Sequence, residues 1–371
     1  MTSEEALDRL RLAHTEGIGP IAWRRLIRRY GSAAAALNAL PALARAGGRS
    51  RAPGIPPLSA AREEVEQLAK LGGQLLVLDG PGYPPLLALI ADAPPILAVL
   101  GDPAVLPGPA VAIVGGRNAS ANGQRIAEEL ALALAAQGLP IVSGMARGID
   151  AAAHRGALAS GRTIAAVAGG LDVPYPPQHR DLQAAIANNG AVVSEAPLGT
   201  APQARHFPRR NRIIAGLVLG VVVIEAAPLS GSLITARLAL ECGRELYAVP
   251  GSPLDPRTRG SNDLIRQGAH LVETAADVLE HLPALAAAGE AARLFPLSGL
   301  NPSPNLPLPA TNEPPPAFQE SGEMPNARAQ ILELLDSSPT TVDDLVRRCH
   351  FSAAAVNAVL LELEVAGRVE L

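Results

Sequence analysis

Aromatic side chains are scarce in this 371-residue chain: four Phe, four Tyr and one Trp make up 2% of it. That scarcity excludes a binding surface built mainly from stacking platforms, the design of many single-strand binders. There is one lysine, Lys70, so nearly all positive charge is arginine. Arginine forks hold phosphate bidentately, where lysine acts as a point charge. The two cysteines, Cys242 and Cys349, are too few and too far apart for a disulfide framework or a metal site. They read as buried thiols in a reducing cytoplasm. No apolar run of about 18 residues escapes interruption by charge or proline, so no membrane span is expected. The start, MTSEEALDRLRL, is acidic and amphipathic, unlike a secretory signal, and the expected location is cytoplasmic. A net charge of −4 excludes a protein that binds nucleic acid with its whole surface; any such site must be a local patch. Hydrophobic content of 48% over this length allows a well-buried core and two or three domains.

The most informative segment runs from Arg205 to Ala226. Arg205, His206, Arg209, Arg210 and Arg212 stand close together, and an apolar run from Val218 to Ala226 follows, of the kind that fills a buried parallel strand. A cationic loop fixed to a rigid sheet is the expectation. The next loop, PLSGS, opens a helix over Leu233 to Cys242, with Gly231 between Ser230 and Ser232. Backbone N–H groups at such a helix start suit phosphate. An arginine run alone reads equally as a solvated face. The functional reading gains weight because the same strand, glycine turn and helix pattern occurs twice upstream. Val111 to Val114 ends in Gly115, Gly116, Arg117 and Asn118; Pro140 to Val142 ends in Ser143, Gly144, Met145, Ala146 and Arg147, before a helix carrying His154 and Arg155. In an open parallel sheet, such strand ends converge on one crevice, where ligands bind.

These motifs in order, GGRNASANG from Gly115, SGMARGIDAAAHRGAL from Ser143, TIAAVAGGLDVPYPP from Thr163, FPRRNRIIAGL from Phe207, SGSLITARLALECGR from Ser230 and AVPGS from Ala248, resemble those of the DNA-processing protein A family, also called Smf. The resemblance runs without a gap from about Leu75 to Leu279. It implies an extended Rossmann-like domain that binds single-stranded DNA, forms a homodimer and loads the RecA recombinase during natural transformation. It implies no cofactor. The dimer contact it implies lies near Leu233 to Leu246 and Ile265 to Val272.

Changes of composition divide the chain. Residues 1–72 read as short helices, and GIGP at Gly17 to Pro20 followed by a helix with Arg24, Arg25, Arg28 and Arg29 resembles a helix-hairpin-helix or SAM-like module; a helical connector with a solvated arginine face fits equally. Residues 73–282 alternate strand and helix, which implies an α/β domain with a parallel sheet covered on both faces. Residues 283–325 form a proline-dense linker. Residues 326–371 read as three helices and a closing strand from Arg368 to Leu371, resembling a winged-helix domain. Its third helix carries Glu362 and Glu364 and no basic residue, so a protein-contact or vestigial role is expected, with the linker isolating the module mechanically.

The expected DNA-binding set is Gly115, Gly116, Arg117, Ser143, Gly144, Arg147, Arg155, Phe207, Arg209, Arg210, Arg212, Ser230, Gly231 and Ser232, with Arg117 the leading phosphate ligand. Tyr175 is a second candidate, beside Phe207, for contact with a base. Asp150 and Asn211 read as groups that order the loops and aim the arginines, Glu225 as ordering the 209–212 loop, and His154 as a crevice residue or a core histidine. No catalytic or metal-binding residues are expected. The competing class is a Rossmann-like enzyme that cleaves nucleoside monophosphates; against it, no paired carboxylates or serine and histidine relay is evident.

Overall fold

The computed structural model describes residues 4–283, 324–335, 340–349 and 351–369. The greater part of the expected proline-rich linker, residues 284–323, lies outside them. The chain divides into two compact units, one made of the N-terminal and C-terminal helices together and the other of the intervening segment from Ser59.

The first unit opens with α1 (Glu4–Ala13), α2 (Pro20–Tyr30) and α3 (Ala33–Ala46). Pro20 begins α2, where its missing N–H costs no helical hydrogen bond. Gly31, at φ 75°, closes it in the left-handed conformation, and Ser32 caps α3 by accepting from the Ala35 N–H. Leu7, Leu10, Trp23, Leu26, Leu37 and Leu40 turn inward to form the core.

The second unit begins with α4 (Leu58–Lys70), β1 (Gly73–Val77), α5 (Pro85–Ala88) and β2 (Ile96–Gly101). It continues with β3 (Val111–Gly115), α6 (Ala121–Ala136), β4 (Ile141–Ser143), α7 (Ile149–Leu158), β5 (Thr163–Ala166), α8 (Arg180–Asn189) and β6 (Ala191–Ser194). After β6 come α9 (His206–Gly216), β7 (Gly220–Ile224), α10 (Gly231–Glu241), β8 (Glu245–Ala248), α11 (Arg259–Arg266), β9 (His270–Leu271) and α12 (Ala275–His281). The nine strands form one sheet in the order β1-β2-β6-β5-β4-β3-β7-β8-β9. It is parallel from β6 to β9, and β1 and β2 extend it antiparallel beyond β6. Val111, Ile141 and Thr163 lie in register, and the apolar face they share carries α6 and α7. The chain builds outward from β3 through β4, β5 and β6, then returns to place β7 on the other side of β3. That reversal makes a topological switch point between β3 and β7, with the carboxyl ends of both strands facing one crevice.

The C-terminal helices are α13 (Met324–Leu334), α14 (Val342–Cys349) and α15 (Ala353–Val365). Ile331, Leu345, Val356, Val359 and Leu363 form their core. Helix α15 does not stand apart: it packs on α2 and α3. A Cβ at Gly47, which follows α3, would lie 2.1 Å from the Glu362 carbonyl oxygen. Glu362 pairs with Arg328, and Glu364 lies 3.9 Å from Arg25 of α2. Both acids are thus buried against the unit's own helices, and the expectation of a mechanically isolated module is corrected. Arg368 and Val369 are not in a strand, and the remainder of the expected closing strand lies outside the described residues.

Candidate nucleic-acid interface

The crevice is assembled where two backbones nearly touch. A Cβ at Gly115 would stand 2.0 Å from the Ile224 carbonyl oxygen, and one at Gly116 would stand 2.7 Å from that of Glu225. Any larger residue would push β3 away from β7. Ser120 caps α6 by accepting from the Gly123 N–H at 2.9 Å. Glu225, held at φ 48°, accepts from the Ser120 N–H at 2.7 Å and from its hydroxyl. Glu225 therefore orders the turn after β3, and not the 209–212 segment assigned to it from sequence.

Across the crevice, Ser230 caps α10 and its hydroxyl lies 2.7 Å from that of Ser232. Gly231 has open space where a Cβ would stand, and its carbonyl accepts from the Asn211 side-chain amide at 3.2 Å. Leu229, just before the cap, is fully exposed at a left-handed φ of 66°.

The arginine-rich segment is a helix, which corrects the loop expected there. His206, Phe207 and Pro208 form the first turn of α9, whose N–H groups have no intrahelical partner, so Pro208 removes nothing the helix needs. Helical geometry then separates the arginines by direction. Arg209 is exposed. Arg210 is only 5% exposed and donates to the carbonyls of Gly144 at 2.6 Å and Ala166 at 2.5 Å. Arg212, also 5% exposed, donates to the Asp92 carbonyl and pairs with Glu195. Of the three α9 arginines expected on DNA, Arg210 and Arg212 are committed to the protein's own polar groups.

The remaining site residues meet around two adjoining cavities. One, of about 380 Å³, is lined by Gly115, Gly116, Arg117, Phe207, Arg210, Glu225, Ser230, Gly231 and Ser232. The other, of about 260 Å³, is lined by Arg117, Gly144, Arg147, Tyr175 and Phe207. Arg117 and Phe207 border both, with the Arg117 guanidinium carbon 5.0 Å from the ring centroid, within cation–π reach. Ser143 is not on the crevice: it is buried and donates to the Ile113 carbonyl at 2.6 Å. Arg155, exposed in the last turn of α7, borders neither cavity, and neither does Arg209. Sequence reasoning missed Asn118 and Arg257, which line the larger cavity. Asn118 was legible as the end of the GGRN turn; Arg257 comes from a distant segment with no local signal.

Electrostatics fix the walls. Asp150 accepts from the Gly144 N–H at 3.2 Å and the Ala146 N–H at 3.3 Å. Burial pushes its carboxyl pKa up, opposed by Arg210 and by those amides. Burial lowers Arg210 to about 10, with Asp150 acting the other way. His154 is a core residue. Its Nδ1 lies 2.7 Å from the Thr163 hydroxyl, which donates to the Ile141 carbonyl, and burial, then nearby cations, lower it to about 3.

Three family models match the chain: DNA recombination-mediator protein A over residues 74–283, a DprA-like N-terminal HHH domain over 3–66 and a DprA winged helix domain over 310–371. Protein Smf of Escherichia coli is 38% identical over 316 residues, 84% of this chain and 79% of that one. The DNA processing protein DprA of Streptococcus pneumoniae is 48% identical over 198 residues, 53% of this chain and 70% of its own. The X-ray structure of the pneumococcal protein superposes with a TM-score of 0.63 at 35% identity, covering 76% of this chain and 99% of that chain. The Helicobacter pylori DNA processing protein A, whose structure concerns its single-stranded DNA binding mode, matches with a TM-score of 0.50 at 30% identity, over 59% of this chain and 97% of its own.

Proposed function

The chain belongs to the DNA recombination-mediator protein A family, and from that premise we propose that it binds single-stranded DNA across the crevice between β3 and β7. The carrying observation is Arg117: an exposed arginine on a glycine turn, over the Phe207 ring, bordering both cavities. Its charge faces open space, whereas Arg210 and Arg212 spend theirs internally. Ser230, Gly231 and Ser232 at the start of α10 supply the opposite wall, and Arg147 extends the positive edge. Phosphate contacts of this kind confer affinity without base identity, so binding has little sequence preference and falls steeply with salt.

In this reading the protein is a recombination mediator and not an enzyme. The carboxylates nearest the crevice are each tied down, Asp150 by two backbone amides and Arg210, Glu225 by Ser120. Neither is left to activate water. Loading of a RecA recombinase, homodimer formation and a role in natural transformation in the cytoplasm extend the same proposal on family grounds. One assay tests its core: purified protein is mixed with a single-stranded oligonucleotide for mobility shift and with nucleoside monophosphates for base release. A shift without release supports the mediator reading; release without a shift reverses it in favour of the hydrolytic enzyme.

A further inference from the structure

We propose that Tyr175 is a base-stacking residue: its ring, backed by Phe207, forms a shelf on which one base of the bound strand lies while the adjoining phosphates meet Arg117 and Arg147. The proposal rests on the single-stranded DNA reading above.

The observation is an exception within the composition. The chain has few rings; among those described, Trp23, Tyr83 and Tyr247 are buried and Tyr30, Phe207 and Phe351 are partly so. Tyr175 is instead 44% exposed. It is not stray on the surface, for its ring centroid lies 5.6 Å from that of Phe207, tilted by 54°. Phe207 in turn carries Arg117 at 5.0 Å. Tyrosine, phenylalanine and arginine thus form one continuous row of contacts, with Tyr175 as its open end.

The segment bearing Tyr175 is held firmly, as a platform requires. Gly170 donates to the Thr200 carbonyl at 3.0 Å, Asp172 accepts from the Gly199 N–H at 2.8 Å, and Gln183 donates to the Leu171 carbonyl at 2.7 Å. Four residues further along the chain, His179 Nδ1 lies 2.9 Å from the Met145 carbonyl. A ring carried by a segment anchored before and after it, and packed on Phe207, loses little freedom when a base is laid on it. The cavity of about 260 Å³ beside it, bordered by Arg117 and Arg147, has cations for a phosphate and an aromatic wall for a base. An unpaired strand can turn a base toward such a wall; a duplex keeps its bases inside its own stack.

The test uses the full-length protein and two fluorescent oligonucleotides of equal length, one of thymidines and one of abasic tetrahydrofuran units, with affinities read by anisotropy at fixed salt. Base-aromatic stacking predicts that Tyr175→Ala and Tyr175→Leu each lose about 5- to 150-fold on the thymidine strand. Tyr175→Phe stays within about threefold, because the ring and not the hydroxyl does the stacking. On the abasic strand, wild type and all three variants bind alike. Tyr175→Leu equal to wild type on thymidine would overturn the shelf, as would an equal loss on both strands, which marks a structural wall. Wild type that binds neither strand would remove the DNA reading itself, an outcome distinct from either of these.

Discussion

Arg210 and Asp150 hold the same residue, Gly144, through the two successive peptide groups that flank its Cα. The Arg210 guanidinium donates to the Gly144 carbonyl, and the Asp150 carboxylate accepts from the Gly144 N–H. A Cβ at Gly144 would sit 2.5 Å from an Arg210 nitrogen, so the glycine is what lets the guanidinium close on the backbone. The second glycine turn of the crevice is therefore shaped by a buried cation from α9 and a buried acid from α7. Removing one member of such a pair strands the other.

Arg210→Met is accordingly expected to destabilise the sheet unit by about 3 to 5 kcal/mol, the cost of an uncompensated buried charge. Arg209→Ala, on the exposed side of the same helix, leaves stability within about 0.5 kcal/mol and weakens DNA binding by less than about 1 kcal/mol at moderate salt, as the loss of one rim cation. Urea denaturation beside anisotropy separates the two. If the stability loss fell on Arg209 and the binding loss on Arg210, the directions assigned to these side chains would be reversed.

Arg117→Ala removes the cation that both cavities share. Single-stranded DNA affinity should fall by roughly 1 to 3 kcal/mol, with about one unit lost from the salt slope and no change in sequence preference. Folding stability should stay as in wild type, since this side chain is exposed. An affinity equal to wild type at both low and moderate salt would take Arg117 out of the interface.

His154 gives the fold a definite acid limb. Its folded pKa of about 3 lies below the ordinary value of 6.5, so between those values the unfolded chain binds the proton and the folded one refuses it. The stability contribution is whole above pH 6.5 and drains as pH falls towards 3, at about 1.4 kcal/mol per unit. Between pH 7 and 5 the expected loss is about 2 kcal/mol. His154→Gln, which does not titrate, should flatten that interval, although the variant starts less stable. Denaturation midpoints at four or five pH values settle it; a slope unchanged by the substitution would assign the acid sensitivity elsewhere.

Packing of α15 on α3 leaves no room at Gly47, where a Cβ would lie 2.1 Å from the Glu362 carbonyl oxygen. Gly47→Val should displace α15 and cost the N-terminal helices about 1 to 3 kcal/mol or more, as overpacking does. Ending the chain before Met324 should have the same sense, since Arg25 then loses Glu364. In both cases DNA affinity is expected to remain within a few-fold of the full chain, because the crevice belongs to the other unit. Limited proteolysis of the N-terminal helices, together with anisotropy, distinguishes this from a C-terminal module that grips DNA: a hundredfold loss of affinity would establish the latter.

The sequence determined what depends on residue type and local period. Valine-rich runs at Val111 and Val218, each followed by glycine and then a helical pattern, were enough to specify a parallel sheet with a crevice at the carboxyl ends of its strands, and the order of the motifs was enough to specify the family. It also marked Arg117, since a glycine turn after a buried strand leaves an arginine nowhere to go but outward. What it left open is the fate of charges whose partners are far along the chain. Arg210 and Arg212 read like Arg209 in one dimension. Only the 100° step of the helix, and the arrival of Gly144, Ala166, Asp92 and Glu195 from other segments, turned two of the three inward. Glu225 closing on Ser120 and Glu364 facing Arg25 are decisions of the same kind. A charge is visible in sequence, but whether it meets water, DNA or a buried counter-charge is set by contacts between distant segments, and those exist only once the chain has folded.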